Sequence, residues 1–255
     1  MGNRGEARPD DRLPPAPPYR VEGNGPLLLY IAGLDGTGEL FFKQAPALSA
    51  CYRVVSHRQR ERGEFTYEDL ADDVAAIIHD LGESKATIIA ESFGGGVALT
   101  FALRYPDMVE KLVIVNSFPR YRERIRIRLA ARLASLLPFG ALFPARLVAN
   151  TLGLWIDGVT PEDRRRFFEI IRTVDGHGYA RRLRLISELD LDERLSEIKA
   201  PTLLIASERD IVVRSAREAG LMAERIPNAQ VKIIRGAGHA CLLGSRVRLA
   251  EILSK

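Results

Sequence analysis

The chain has 255 residues, 46% of them hydrophobic and 27% charged. That balance fits a globular domain and excludes a disordered chain, a collagen and a coiled coil. No run of 18 apolar residues occurs, so no membrane-spanning helix is expected, and a chain this long buries about three quarters of its unfolded surface without a disulfide or metal staple.

Residues 1–18 hold five prolines and several charges and read as a loose, disordered arm. They lack the apolar stretch of a signal peptide, and Glu6 stands where a myristoylation signal needs Ser or Thr. A cytoplasmic location is the expectation. Residues 27–32 form an apolar run ending at Gly33, a buried-strand pattern, and 53–56 is a shorter strand candidate. Over 66–81 the spacing of Leu70, Val74, Ile77, Ile78 and Leu81 predicts a helix, with Thr66 and Asp69 placed for a capping box. Residues 86–90 read as a strand, 94–105 as a small-residue helix stopped before Pro106, and 112–115 as a strand. Further strands are expected at 202–206 and 231–234, and further helices at 214–226 and 245–253. Strands alternating with helices predict an α/β fold with a mostly parallel central sheet covered on both faces.

Residues 118–195 break that rhythm. They read as helices separated by Pro138, Pro144 and Pro161, a helical cap inserted between two parts of the core, 19–117 and 196–255. The charge is also concentrated there. The chain carries a net +4, but residues 120–186 hold fourteen arginines, no lysine and six acids, a local +8 that leaves the remainder at −4. Ile125, Leu129, Leu133, Leu136 and Leu137 share one helical face, with Arg124, Arg128 and Arg132 beside it. The pattern reads as a solvated cap helix or as a surface that meets an anionic membrane or an acidic substrate. Few aromatics interleave with the arginines, so no nucleic acid is expected. Leu152, Leu154, Trp155, Phe167, Phe168 and Ile171 are candidates to roof a pocket.

The most specific motif is Ala90-Glu91-Ser92-Phe93-Gly94-Gly95-Gly96. A strand running into a serine followed at once by a helix is the nucleophile-elbow pattern, with Ala90 in place of the usual first glycine. Small neighbours let strand, turn and helix pack around the strained serine. Next in weight is Gly236-Ala237-Gly238-His239-Ala240, a glycine loop after a strand that would carry a general base to a serine. A third is Ser207-Glu208-Arg209-Asp210, where Asp210, with Glu208 as competitor, would hold the imidazole. The chain order Ser, Asp, His separates this arrangement from other serine triads. Gly33-Leu34-Asp35-Gly36-Thr37-Gly38 lacks the ending of a phosphate-binding loop and the dinucleotide spacing. It suits an oxyanion hole made by the N–H groups of Leu34 and Phe93. The histidines at 57, 79, 177 and 239 show no ligand spacing, so no metal is expected, and Cys51 and Cys241 read as two free thiols, or as a single bridge if the protein is exported. Asp35 is considered for the pocket mouth but is not counted among the expected site residues.

From about residue 27 to 253 these motifs resemble the α/β-hydrolase fold superfamily, in its serine-hydrolase form with a helical cap. The Gly33–Gly38 loop and the Ser92 elbow are further similar to the hydrolase domain of plant esterase/acyltransferases of the phytyl ester synthase type. The second, acyltransferase-like domain of those proteins is not expected here. Ala32 replaces a histidine often found in the superfamily, and a serine nucleophile argues against the dehalogenase and epoxide-hydrolase branches. The resemblance implies a cofactor-independent carboxylic-ester hydrolase using Ser92, Asp210 and His239 on a small or lipid-like acyl ester. The alternatives are an acyltransferase on the same triad, a thioesterase, lactonase or C–C hydrolase, and a non-catalytic binding module.

Overall fold

The computed structural model describes residues 13–122, 128, 129, 132 and 158–254. Its strands are β1 (Tyr19–Glu22), β2 (Leu27–Ile31), β3 (Arg53–His57), β4 (Ala86–Glu91), β5 (Val109–Val115), β6 (Thr202–Ser207) and β7 (Ala229–Ile234). They form one sheet in the order β1-β3-β2-β4-β5-β6-β7. Only β1 is antiparallel, pairing Tyr19 with His57; the other pairings are parallel. The chain winds outward from β2 in one direction and from β4 in the other. The crevice beyond the carboxyl ends of β2 and β4 is therefore the switch point where open α/β sheets bind ligands.

Alternation along each strand divides two hydrophobic layers. Leu29, Ile31, Ile88, Ala90, Leu112 and Ile114 face one core cluster, and Leu28, Tyr30, Ile89, Val113 and Val115 face the other. The first layer is covered by helices α2 (Tyr67–Asp80) and α3 (Phe93–Arg104), the second in part by α1 (Ala45–Leu48) and α7 (Leu249–Leu253). Each fully buried Leu or Ile contributes about 1.5–3 kcal/mol from its removal from water. Thr66 and Asp69 form the reciprocal cap expected of α2, each side chain accepting from the other's backbone N–H.

The expected strands all form, most of them a residue or more longer than read. Two helices are shorter than expected: α6 spans Ser215–Ala223, and α7 begins only at Leu249. In the segment 118–195, α4 (Pro161–Arg172) starts with Thr160 as its cap and Pro161 in its first turn, where a missing N–H costs nothing. It places Phe167 and Ile171 in a third apolar cluster with Leu40, Ala240 and Leu243. Helix α5 (Gly176–Glu188) sends Leu183, Leu185 and Ile186 into the larger core cluster. Ile125, Leu133, Leu136, Leu137, Arg124, Leu152, Leu154 and Trp155 lie outside the described residues; Leu129 is exposed. Cys51 and Cys241 are both free thiols. Among the described residues, no helix is long and apolar enough to cross a membrane.

Candidate active site

Strand β4 ends at Glu91, and the chain turns at Ser92 before entering α3. Ser92 has φ 53° and ψ −121°, a conformation that costs a non-glycine residue about 1–3 kcal/mol. The turn is held on both sides. Ser92 N–H donates to Val115 O at 2.9 Å, while Gly95 N–H and the Ser117 hydroxyl donate to Ser92 O at 3.0 and 2.6 Å. The small residues after it fit three different walls. A Cβ on Gly94 would lie 2.5 Å from the carbonyl oxygens of Ile31 and Ala32; on Gly95 it would lie 2.1 Å from Ser117 Oγ; on Gly96 it would press on Leu189 and Tyr67. Ala90, in the usual glycine position, is fully buried.

The loops after β6 and β7 bring the other two residues to this turn. His239 Nε2 lies 2.9 Å from Ser92 Oγ, and His239 Nδ1 lies 2.9 Å from Asp210 Oδ2. The second Asp210 oxygen accepts the N–H groups of Val212 and Val213 at 2.9 and 3.2 Å, so the carboxylate cannot swing away from the ring. Burial alone would raise the Asp210 carboxyl. The adjacent His239, the Ser215 hydroxyl and the Val213 N–H outweigh that and hold it below its ordinary range. Burial likewise disfavours the His239 imidazolium, but the Asp210 carboxylate and, more weakly, Glu91 raise it above its usual value. Glu208, the competing acid, is exposed and instead accepts Gly236 N–H at 2.8 Å, bracing the turn that leads to His239.

The glycine loop after β2 lies against the elbow. A Cβ on Gly33 would sit 3.5 Å from Ser92 Cβ. Leu34 follows directly, and Phe93 opens α3, where the helix dipole favours negative charge. Neither N–H has a hydrogen-bond partner among the described residues, which leaves both open to an oxyanion. Asp35 is fastened by the Thr37 N–H and hydroxyl, both donating to its Oδ1. His177 is exposed, and among the described residues no group of three or more His, Cys, Asp or Glu side chains could hold a metal ion.

Sequence reasoning missed two polar groups here, one buried and one half-buried. Asn116, at φ 46° just after β5, donates through its amide to Ser207 Oγ, to His239 O at 2.7 Å and to Cys241 Sγ. Its oxygen accepts the Ser207 N–H and the Ser215 hydroxyl. One side chain thus ties the ends of β5 and β6 to the histidine loop. The other is Glu91, pushed up to about 7, first by burial and then by Asp35, while Tyr30 donates to it at 3.1 Å.

An elbow serine after β4, a carboxylate after β6 and a histidine after β7, in that chain order, are the defining arrangement of one fold class. The chain belongs to the α/β-hydrolase fold family, whose model matches residues 26–244. Among its relatives is a Caulobacter protein provisionally named carbamate hydrolase RutD. It is 32% identical over 221 residues, covering 82% of this chain and 81% of that protein. A second protein of that name, from Stutzerimonas stutzeri, is 28% identical over 253 residues, 92% of each chain. Similar solved structures include an esterase from Exiguobacterium antarcticum, with TM-score 0.81, 20% identity and coverage of 92% and 93% of the two chains. A thermophilic esterase from Thermogutta terrifontis has TM-score 0.78 and 22% identity, covering 93% and 91%. At these identities the structural likeness speaks to the fold.

Proposed function

We propose that the chain is a cofactor-independent serine hydrolase that cleaves a carboxylic ester through an acyl-enzyme. The observation that carries this reading is the continuous hydrogen-bonded line from Ser92 Oγ through His239 to Asp210. Ser92 Oγ adds to the acyl carbon as its proton passes to His239 Nε2. The oxyanion is received by the N–H groups of Leu34 and Phe93. The tetrahedral adduct collapses, the bond to the alcohol oxygen breaks, and His239 returns its proton to that oxygen. A water then repeats the cycle, giving up its proton to His239 and releasing the acid from Ser92. Asp210 stays ionised and steadies the imidazolium.

A carbamate is a second reading of the same site, supported by the names of the relatives. Its carbonyl presents the same oxyanion and an analogous leaving group. Transfer of the acyl group to a lipid alcohol is a third, supported by the likeness of the Gly33–Gly38 and Ser92 motifs to phytyl ester synthase-type proteins. Fold alone does not choose between them. Turnover of p-nitrophenyl esters from C2 to C16 and of a p-nitrophenyl carbamate, with product analysis in the presence of a long-chain alcohol, separates the three. Ester turnover with free acid as the product is the expected result. A folded protein that turns over only the carbamate, or yields only alkyl ester, overturns the ester-hydrolase reading.

A further inference from the structure

Among the described residues, the largest fully buried side chain is Arg182, on α5, at 0% exposure. Its three hydrogen-bonded partners are all backbone carbonyls: Nε donates to Leu34 O, Nη2 to Asp35 O and Nη1 to Arg60 O, each at 3.0 Å. A guanidinium buried without a carboxylate in direct contact is costly, and burial draws it down to about 10. It remains charged at neutral pH, so the cost is borne throughout the working range. The surroundings are shaped to it. Gly36 lies at φ 69°, and a Cβ there would sit 2.5 Å from Arg182 Cζ.

Leu34 and Asp35 are the central residues of the turn closed by Gly36 N–H donating to Gly33 O at 3.1 Å. In a trans peptide the C=O and N–H point in opposite directions. The bond to Gly33 O therefore aims the Leu34 N–H away from the turn's interior, and the two carbonyls gripped by Arg182 fix the peptide planes that follow. Gln59 completes the hold: its side chain donates to Ala32 O at 2.9 Å and its N–H to Gly36 O at 2.8 Å. All five carbonyls from Ala32 to Gly36 are occupied.

We propose that Arg182 is a positioning residue that presets the oxyanion hole, by holding the Leu34–Asp35 turn so that the Leu34 N–H faces the Ser92 adduct. The inference rests on the serine-hydrolase reading. Preorganised donors act on the charge that develops in the transition state and much less on the bound ester. Loss of Arg182 therefore lowers kcat and leaves KM nearly in place. It also ties the hole to α5, an element of the segment that the sequence assigns to the cap.

The test uses Arg182→Lys and Arg182→Ala, with Ser92-dependent turnover of wild type as the reference and thermal melts as a check on folding. Arg182→Lys keeps the charge but loses the fork that reaches two carbonyls at once. It is expected to remain folded with kcat lowered roughly 10-fold and KM within about twofold. Arg182→Ala is expected to lose about 100-fold in kcat, the scale of one oxyanion donor. Added ethylguanidinium is expected to restore activity saturably, since it refills the vacated site. If Arg182→Ala does not fold, Arg182→Lys alone decides. A folded Arg182→Lys with wild-type kcat, or a loss confined to KM, overturns the inference. So does a folded Arg182→Ala that ethylguanidinium does not restore. Absence of Ser92-dependent turnover in wild type would instead overturn the serine-hydrolase reading.

Discussion

The Asn116 amide donates to the backbone carbonyl of His239 at 2.7 Å, so a side chain at the end of β5 sets the height of the histidine two strands away. The same residue accepts from Ser207 and Ser215, which brackets the loop bearing Asp210. Asn116→Ala leaves several buried donors and acceptors unpaired and removes a residue type that tolerates φ 46°. It is expected to destabilise the protein by about 3 kcal/mol. Denaturant melts measure this, and kcat of the folded fraction is expected to fall because His239 is no longer held to Ser92.

Two of the elbow glycines, Gly94 and Gly96, are expected to rank by what stands opposite each. Gly94→Ala meets two backbone carbonyls at 2.5 Å, which cannot withdraw without moving β2. Gly96→Ala meets the Leu189 side chain and the Tyr67 ring, which can shift. Gly94→Ala is expected to abolish soluble folded protein or activity, and Gly96→Ala to cost about 1–3 kcal/mol, as overpacking does. Melts of the two variants side by side check the order.

How much of this was legible in the sequence depended on range. The elbow was readable because its constraint is local: an apolar strand, one serine and three glycines in succession. The cap of α2 was readable for the same reason. Strand β1 was not. It is an edge strand of four residues, three of them exposed, and the alternation of Tyr19-Arg20-Val21-Glu22 is too short to stand out beside the proline-rich residues before it. Arg182 sits among Arg181 and Arg184 in a helix rich in arginine, and only the three-dimensional packing distinguishes the one at 0% exposure from its neighbours. Asn116 reads as a turn residue until its partners on β6 and the histidine loop are known.

His57, at the end of β3, is buried and its imidazole is lowered to about 4 by burial alone. The unfolded chain takes up this proton near pH 6.5, the folded chain only near 4. Stability therefore falls as pH drops through that window, by up to about 3 kcal/mol from this group. His57→Leu, which cannot titrate, is expected to flatten the acid side of the stability curve between pH 6.5 and 4. An unchanged slope would contradict this.

Glu91 acts in the opposite direction. Its carboxyl is raised from 4.5 to about 7, so the folded state holds a proton that the unfolded state has lost, and this contribution disappears as pH rises through 7. Glu91→Gln is expected to stabilise the protein at pH 8 relative to wild type and to matter little at pH 4. Glu91 also raises the His239 imidazole, so the variant is expected to move the acid limb of kcat/KM to lower pH. Paired melts and pH–rate profiles of wild type and variant measure both effects.

The central claim is that Ser92 is the nucleophile, activated by His239 at 2.9 Å. The most direct test is reaction with a fluorophosphonate, followed by peptide mass mapping, with Ser92→Ala and His239→Ala in parallel. One adduct per chain is expected, located on Ser92, absent from Ser92→Ala and greatly slowed in His239→Ala, with p-nitrophenyl ester turnover lost as the adduct forms. Turnover that persists in folded Ser92→Ala, or an adduct on another residue accompanied by loss of activity, would contradict it.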